Sequence, residues 1–117
     1  METTKVHSAY ELLANQFGLA LDFEENPVVS SVGVTDLVLV KNNPRRIALV
    51  IINLSGNTLY VRPGSSPASA TAGMVLVSGG GSLTMDVTSD FILPAREWHA
   101  VATGAASAVY VMGVFIV

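Results

Sequence analysis

The chain contains no cysteine. A disulfide framework, a thiol nucleophile and a thiolate metal site are therefore excluded, and stability must come from burial and association. Charge is also scarce, at 13% of residues, with a formal net charge of −3. Phosphate binding needs clustered Lys and Arg, and only Arg45 and Arg46 are adjacent, so a nucleic-acid role is not expected. No run of about 18 apolar residues exists, and the longest, around Ile47–Ile52 and at the C-terminus, have strand length. The N-terminal residues carry Glu2 and Lys5 without an apolar signal-peptide core, so no membrane insertion and no cleaved export signal are expected.

What is present is apolar: half of the 117 residues are hydrophobic. A domain of this size has a high ratio of surface to volume, so such a composition favours a subunit whose exposed apolar surface is covered by another chain. Charge is unevenly placed. Residues 1–36 hold Glu2, Glu11, Asp22, Glu24, Glu25 and Asp36 against Lys5, whereas the remainder holds Asp86, Asp90 and Glu97 against Lys41, Arg45, Arg46, Arg62 and Arg96. An acidic segment ahead of a mildly basic body can lie across a neighbouring copy or stay solvated as a tail.

Two regions follow, 1–33 and 34–117. In the first, Ser8-Ala9-Tyr10-Glu11 has capping-box spacing, and Leu12, Leu13, Ala14 and Phe17 precede Gly18, which predicts a short helix from about Ala9 to Phe17. The acidic, Pro-containing stretch 19–34 reads as an extended arm, with Val28, Val29 and Val32 able to add a short edge strand. The second region reads as about eight strands, near 34–41, 46–53, 58–62, 73–77, 82–87, 90–93, 97–103 and 107–116. Leu54-Ser55-Gly56-Asn57 has the residues of a tight hairpin, Pro63–Pro67 starts a long loop reaching Ala72, and Gly79–Gly81 form a turn. Antiparallel strands with some long connections suit an all-β, jelly-roll-like β-sandwich.

Candidate chemistry is sparse. Gly79-Gly80-Gly81-Ser82 lacks the following Lys and helix of a phosphate loop. His7 and His99 lie in different segments with no metal-ligand spacing, and Glu97-Trp98-His99 reads as a strand with an amphipathic ring at an edge. No Gly-x-Ser-x-Gly elbow is present to organise a serine triad from His99 with Asp86 or Asp90. Asp86, Asp90 and Glu97 sit where carboxylates cap turns or face solvent rather than where they pair for glycoside hydrolysis. No catalytic residue, metal or cofactor is assigned, and the chain is not expected to be an enzyme.

The stretch Asn43-Pro-Arg-Arg-Ile-Ala-Leu-Val-Ile-Ile-Asn-Leu-Ser-Gly-Asn-Thr-Leu-Tyr-Val-Arg-Pro-Gly-Ser-Ser-Pro67 resembles a pattern in small jelly-roll virion proteins of tailed bacteriophages. Ala72-Gly-Met-Val-Leu-Val77 and Ala106-Ser-Ala-Val-Tyr-Val-Met-Gly113 continue the likeness, which covers residues 43–117. It implies a capsid decoration (cement) subunit on the head exterior, made in the host cytoplasm, contacting the major capsid protein or another virion protein. A homo-oligomer is expected, with a trimer as one arrangement. Tyr10, Leu12, Leu13, Phe17, Leu19 and Phe23 are the expected apolar anchors, and Arg45 and Arg46 the expected partners for a neighbour's acids. Deleting residues 1–33 is expected to leave a folded body that no longer attaches. The alternative is a carbohydrate- or receptor-binding module of a fibre or tail, contacting its ligand through Trp98 and loop 63–72.

Overall fold

The computed structural model describes Gly18, residues 20–25 and residues 29–117. The expected helix at 9–17 and the anchors Tyr10, Leu12, Leu13, Phe17 and Leu19 lie outside the described residues. The strands are β1 (Leu21–Glu24), β2 (Val29–Val32), β3 (Leu37–Val40), β4 (Arg46–Asn53), β5 (Leu59–Pro63), β6 (Met74–Leu76), β7 (Ser82–Asp86), β8 (Trp98–Ala102) and β9 (Ser107–Ile116). All described pairings are antiparallel.

Two sheets result. One has the order β1-β9-β4-β7, with β2 also pairing β9; the other has the order β3-β8-β5-β6. β1 pairs the end of β9 (Leu21 with Ile116) and β2 its beginning (Val29 with Tyr110), so the two act as one interrupted edge strand. From β2 onward every connection crosses between the sheets except β5 to β6, which are neighbours. Counted this way, the eight strands have jelly-roll order.

Alternation selects the inner faces. In β9, Ser107, Val109, Val111 and Gly113 are buried while the residues between them are half-buried. In β4, Leu49, Ile51 and Asn53 point inward. Leu49 and Ile51, with Val109 and Val111 of β9, meet Val61 and Leu59 of β5, Leu39 of β3 and Trp98 of β8 in one core cluster. The continuous apolar run of β4 keeps its outward residues Ala48, Val50 and Ile52 half-covered, because β9 and β7 flank the strand on both sides.

Four expectations change. The edge strand expected from Val29 and Val32 is β2, with the Val32 side chain fully buried in the core, whereas residues 21–24, expected as extended arm, form a sheet strand as well. A cut after residue 33 would remove β2 as well as the acidic segment, so it would not spare the body. Leu54–Asn57 is not a hairpin, since it joins β4 to β5 in the opposite sheet. The strand near 34–41 shrinks to 37–40, because the Asp36 side chain is engaged by the backbone N–H of Ala68. The strand expected at 90–93 is absent. Asp86 instead caps a one-turn helix, α1 (Val87–Asp90), accepting from the N–H groups of Thr88 and Ser89. A 3-10 turn (Leu93–Ala95) containing Pro94 follows. Local side-chain hydrogen bonds and a proline without an N–H outcompete the ladder here.

Candidate functional site

Among the described residues, the main titratable cluster forms on the outer face of the four-stranded sheet. In β8 the side chains alternate, so burying Trp98 turns Glu97 and His99 outward together. Trp98 is fully buried and donates its Nε1–H to the Leu93 carbonyl at 2.9 Å. It is neither at a strand edge nor available to stack on a sugar: β8 runs between β3 and β5. His99 lies beside Val38 of β3 and Arg62 of β5 in the ladder.

Two carboxylates close on the imidazole. Asp36 Oδ2 lies 2.7 Å from Nδ1 and Glu97 Oε2 lies 2.8 Å from Nε2. Each ring nitrogen faces a carboxylate oxygen, so the pair of contacts favours the imidazolium, in which both nitrogens donate. The hydrogen bond to Asp36 raises the His99 pKa above its ordinary 6.5, Glu97 adds to the rise, and burial opposes it. Arg62 stands across the ladder from His99, yet its guanidinium donates to the Pro67 carbonyl at 3.1 Å.

Asp36 does two jobs. Its second oxygen accepts from the backbone N–H of Ala68 at 2.8 Å, and Ala68 is buried. The cluster therefore pins loop 64–72 across the sheet's outer face. While both nitrogens donate, His99 offers no lone pair for base catalysis or metal binding. No group of three ligating side chains that could hold a metal occurs among the described residues. The arrangement is an ionic latch, holding β3, β8 and the long loop together.

Its pH dependence has a definite sign. A histidine whose pKa is raised by folding stabilises the fold below its ordinary value, and that contribution fades as pH climbs through the raised value. His99→Gln is expected to cost roughly 1 kcal/mol near pH 6. The difference from wild type should shrink as pH rises above about 6.5 and through the raised value. Thermal melts across that range check this, and a constant difference would refute the imidazolium assignment.

The remaining expected residues separate. Phe23 on β1 is 54% exposed. Arg45 is exposed, but Arg46 is buried and spends its donors on its own chain, at the carbonyls of Pro94, Lys41 and Arg96. Those bonds engage Nε and Nη2, so Arg46 does not stand on the outer surface as a free partner for a neighbour's acids. Asp86 and Asp90 serve the α1 turn, with Asp90 Oδ2 accepting from the Asp86 N–H. Sequence reading missed the latch because Asp36 and His99 are 63 positions apart. The available signal was Glu97-x-His99, a spacing that puts two side chains on one strand face.

Comparison adds no relatives. No family model, no curated protein and no solved structure matches this chain. Function must be argued from the surface itself. No helix among the described residues is long and apolar enough to cross a membrane.

The most unusual feature of that surface is the turn after α1. Phe91 has φ 56° and ψ −117°, and Ile92 follows at φ −84° and ψ −10°. These angles describe a type II′ turn with Phe91 in the first central position, where glycine is the usual residue. A bulky side chain at positive φ is a strained outlier. The strain is not offset by burial, since Phe91 is 76% and Ile92 60% exposed.

Proposed function

We propose that this chain is a non-enzymatic structural subunit of a tailed-bacteriophage virion, a capsid decoration protein that binds the head exterior through non-covalent contacts. The virion assignment comes from the sequence pattern over residues 43–117. The observation that carries a binding role is Phe91, an aromatic ring held out in solvent by a backbone conformation that costs energy. Such strain persists where it is part of function. Val87, 38% exposed, lies on the preceding helical turn, so the connection displays three apolar side chains together. Edge strand β6 adds a second apolar surface through Met74, Val75 and the following Val77, all exposed. Both surfaces suit burial against the major capsid protein or against further copies in a homo-oligomer, a trimer among them.

Phe91→Gly separates binding from stability. Glycine adopts the II′ position without strain, so the variant should be as stable as wild type or more so, by up to about 1 kcal/mol. Attachment should fall at least about tenfold if the ring is a contact anchor. Cosedimentation of each protein with heads lacking it reads the second effect, and urea unfolding the first. Undiminished attachment by the glycine variant would remove Phe91 from the interface; failure of wild type to attach to any virion part would overturn the assignment.

A further inference from the structure

The open side of the sandwich holds a cleft of about 490 Å³ between edge strands β1 and β3, floored by Val40, Leu49 and Val111. Arg46 reaches it from within. Its aliphatic stem lies over Gly113, where a Cβ would stand 2.7 Å from Arg46 Cδ, so only glycine at 113 leaves room for the side chain. Nε–H donates to the Pro94 carbonyl at 2.6 Å, and Nη2 donates to the carbonyls of Lys41 and Arg96 at 3.0 and 2.7 Å. These bonds fix the guanidinium rigidly.

One nitrogen is left over. Nη1 has no hydrogen-bond partner among the described residues, and no unpartnered side-chain nitrogen or oxygen there is fully enclosed. In a residue only 4% exposed, the accessible remainder is the part facing the cleft. No carboxylate forms an ion pair with Arg46 among the described residues. A full charge thus sits in a largely dehydrated position whose hydrogen-bond partners among the described residues are all carbonyl groups, an arrangement that favours an incoming anion. Lys41 adds a second cation to the lining, and Glu24 lines the cleft as the chain's own competing acid. Burial lowers the Arg46 pKa and Glu24 partly restores it, which places Glu24 within electrostatic reach.

We infer that this cleft binds the carboxylate side chain of an extended acidic peptide segment, with Arg46 Nη1 as the anchor. A lone small anion would leave most of the volume unfilled, whereas a side chain with apolar flanking residues would cover the Val40, Leu49 and Val111 floor. The cleft also runs between β1 and β3, each the outermost strand of its sheet among the described residues, a setting that suits an extended backbone. The inference rests on the cleft alone and stands apart from the virion assignment.

The test is a titration of the isotope-labelled full chain with the blocked tripeptide acetyl-Val-Glu-Val-amide, followed through backbone amides of residues 38–43 and 113 and the Arg46 Nε–H signal. The glutamine counterpart and butyrate serve as comparison ligands. Saturable shifts confined to the cleft are expected, with the glutamine peptide and butyrate each at least about tenfold weaker. Because Arg46 also secures three carbonyls, Arg46→Lys alone would not be decisive. Glu24→Gln should tighten binding about threefold and Lys41→Ala should weaken it. No saturable shift, equal binding of the glutamine peptide, or no response to Glu24→Gln would overturn the site; butyrate binding as tightly as the peptide would overturn the peptide as its occupant.

Discussion

Trp98→Ala is expected to lose about 3–5 kcal/mol of stability, enough to leave much of the chain unfolded at ordinary temperature. Trp98 opens β8, an inner strand of the four-stranded sheet, beside Val40 of β3 and Pro63 of β5 in the ladders, and none of its surface is exposed. Alanine removes the largest core side chain and opens a cavity between two sheets whose other contacts are already made. It also strips the Leu93 carbonyl of its indole donor, unfastening the 3-10 turn that directly follows the displayed Phe91–Ile92 pair. Trp98→Phe retains most of the apolar contact and should cost only about 1–2 kcal/mol. Urea unfolding with an unchanged slope reads both, and an alanine variant within about 0.5 kcal/mol of wild type would show that the core closes elsewhere.

Asn53→Asp is expected to be nearly as damaging, at about 3–4 kcal/mol, although it exchanges one atom. Asn53 is fully buried, and its amide nitrogen lies 2.8, 3.0 and 3.1 Å from the carbonyl oxygens of Asn57, Leu76 and Val77. Its oxygen accepts from the N–H and hydroxyl of Ser55 at 3.0 and 2.7 Å. This one side chain ties the β4–β5 corner to the β6–β7 corner, where the backbone also closes through Asn53 N–H to Gly81 and Gly80 N–H to Asn53. An aspartate would set an oxygen, in place of the amide nitrogen, against three carbonyl oxygens. The aspartate should therefore take up a proton more readily when folded than unfolded, and the variant should gain stability as pH falls. Chemical denaturation at descending pH checks the direction; a loss that does not ease toward acid would contradict the amide-to-carbonyl geometry.

The most legible parts of the fold were its two longest strands. Residues 46–53 and 107–116 carry dense β-branched and apolar side chains between Asn, Pro, Ser and Gly, and β4 and β9 have those bounds. The other strands of the body were found within a residue or a few of their ends, because their apolar stretches are bracketed by turn residues. The stretch 90–93 misled because Phe91-Ile92-Leu93 has the composition of a strand. Its geometry is decided by neighbours, by Asp86 capping behind it and Pro94 ahead. β1 was illegible for the opposite reason: Leu21-Asp22-Phe23-Glu24 is acidic and only Leu21 is buried, so its pairing is supplied by the edge of β9 rather than by its own pattern.

Neither functional feature could be read along the chain. The latch needs Asp36 to arrive from the β2–β3 connection onto a histidine in β8, and the cleft needs Arg46 to turn inward over Gly113. Arg45 and Arg46 look identical in sequence, yet a shift in the β4–β9 register between Arg46 and Ala48 accompanies the burial of one while the other stays in solvent.

The sequence by itself determined the class of fold, through strand-length apolar runs and turn residues at short range, and it excluded thiol chemistry outright by lacking cysteine. Only the tertiary structure decided which sheet each strand joins, which of two adjacent arginines is buried, and that Phe91 stands in solvent. Those outcomes depend on contacts between residues distant in the chain, whose energies no local pattern encodes.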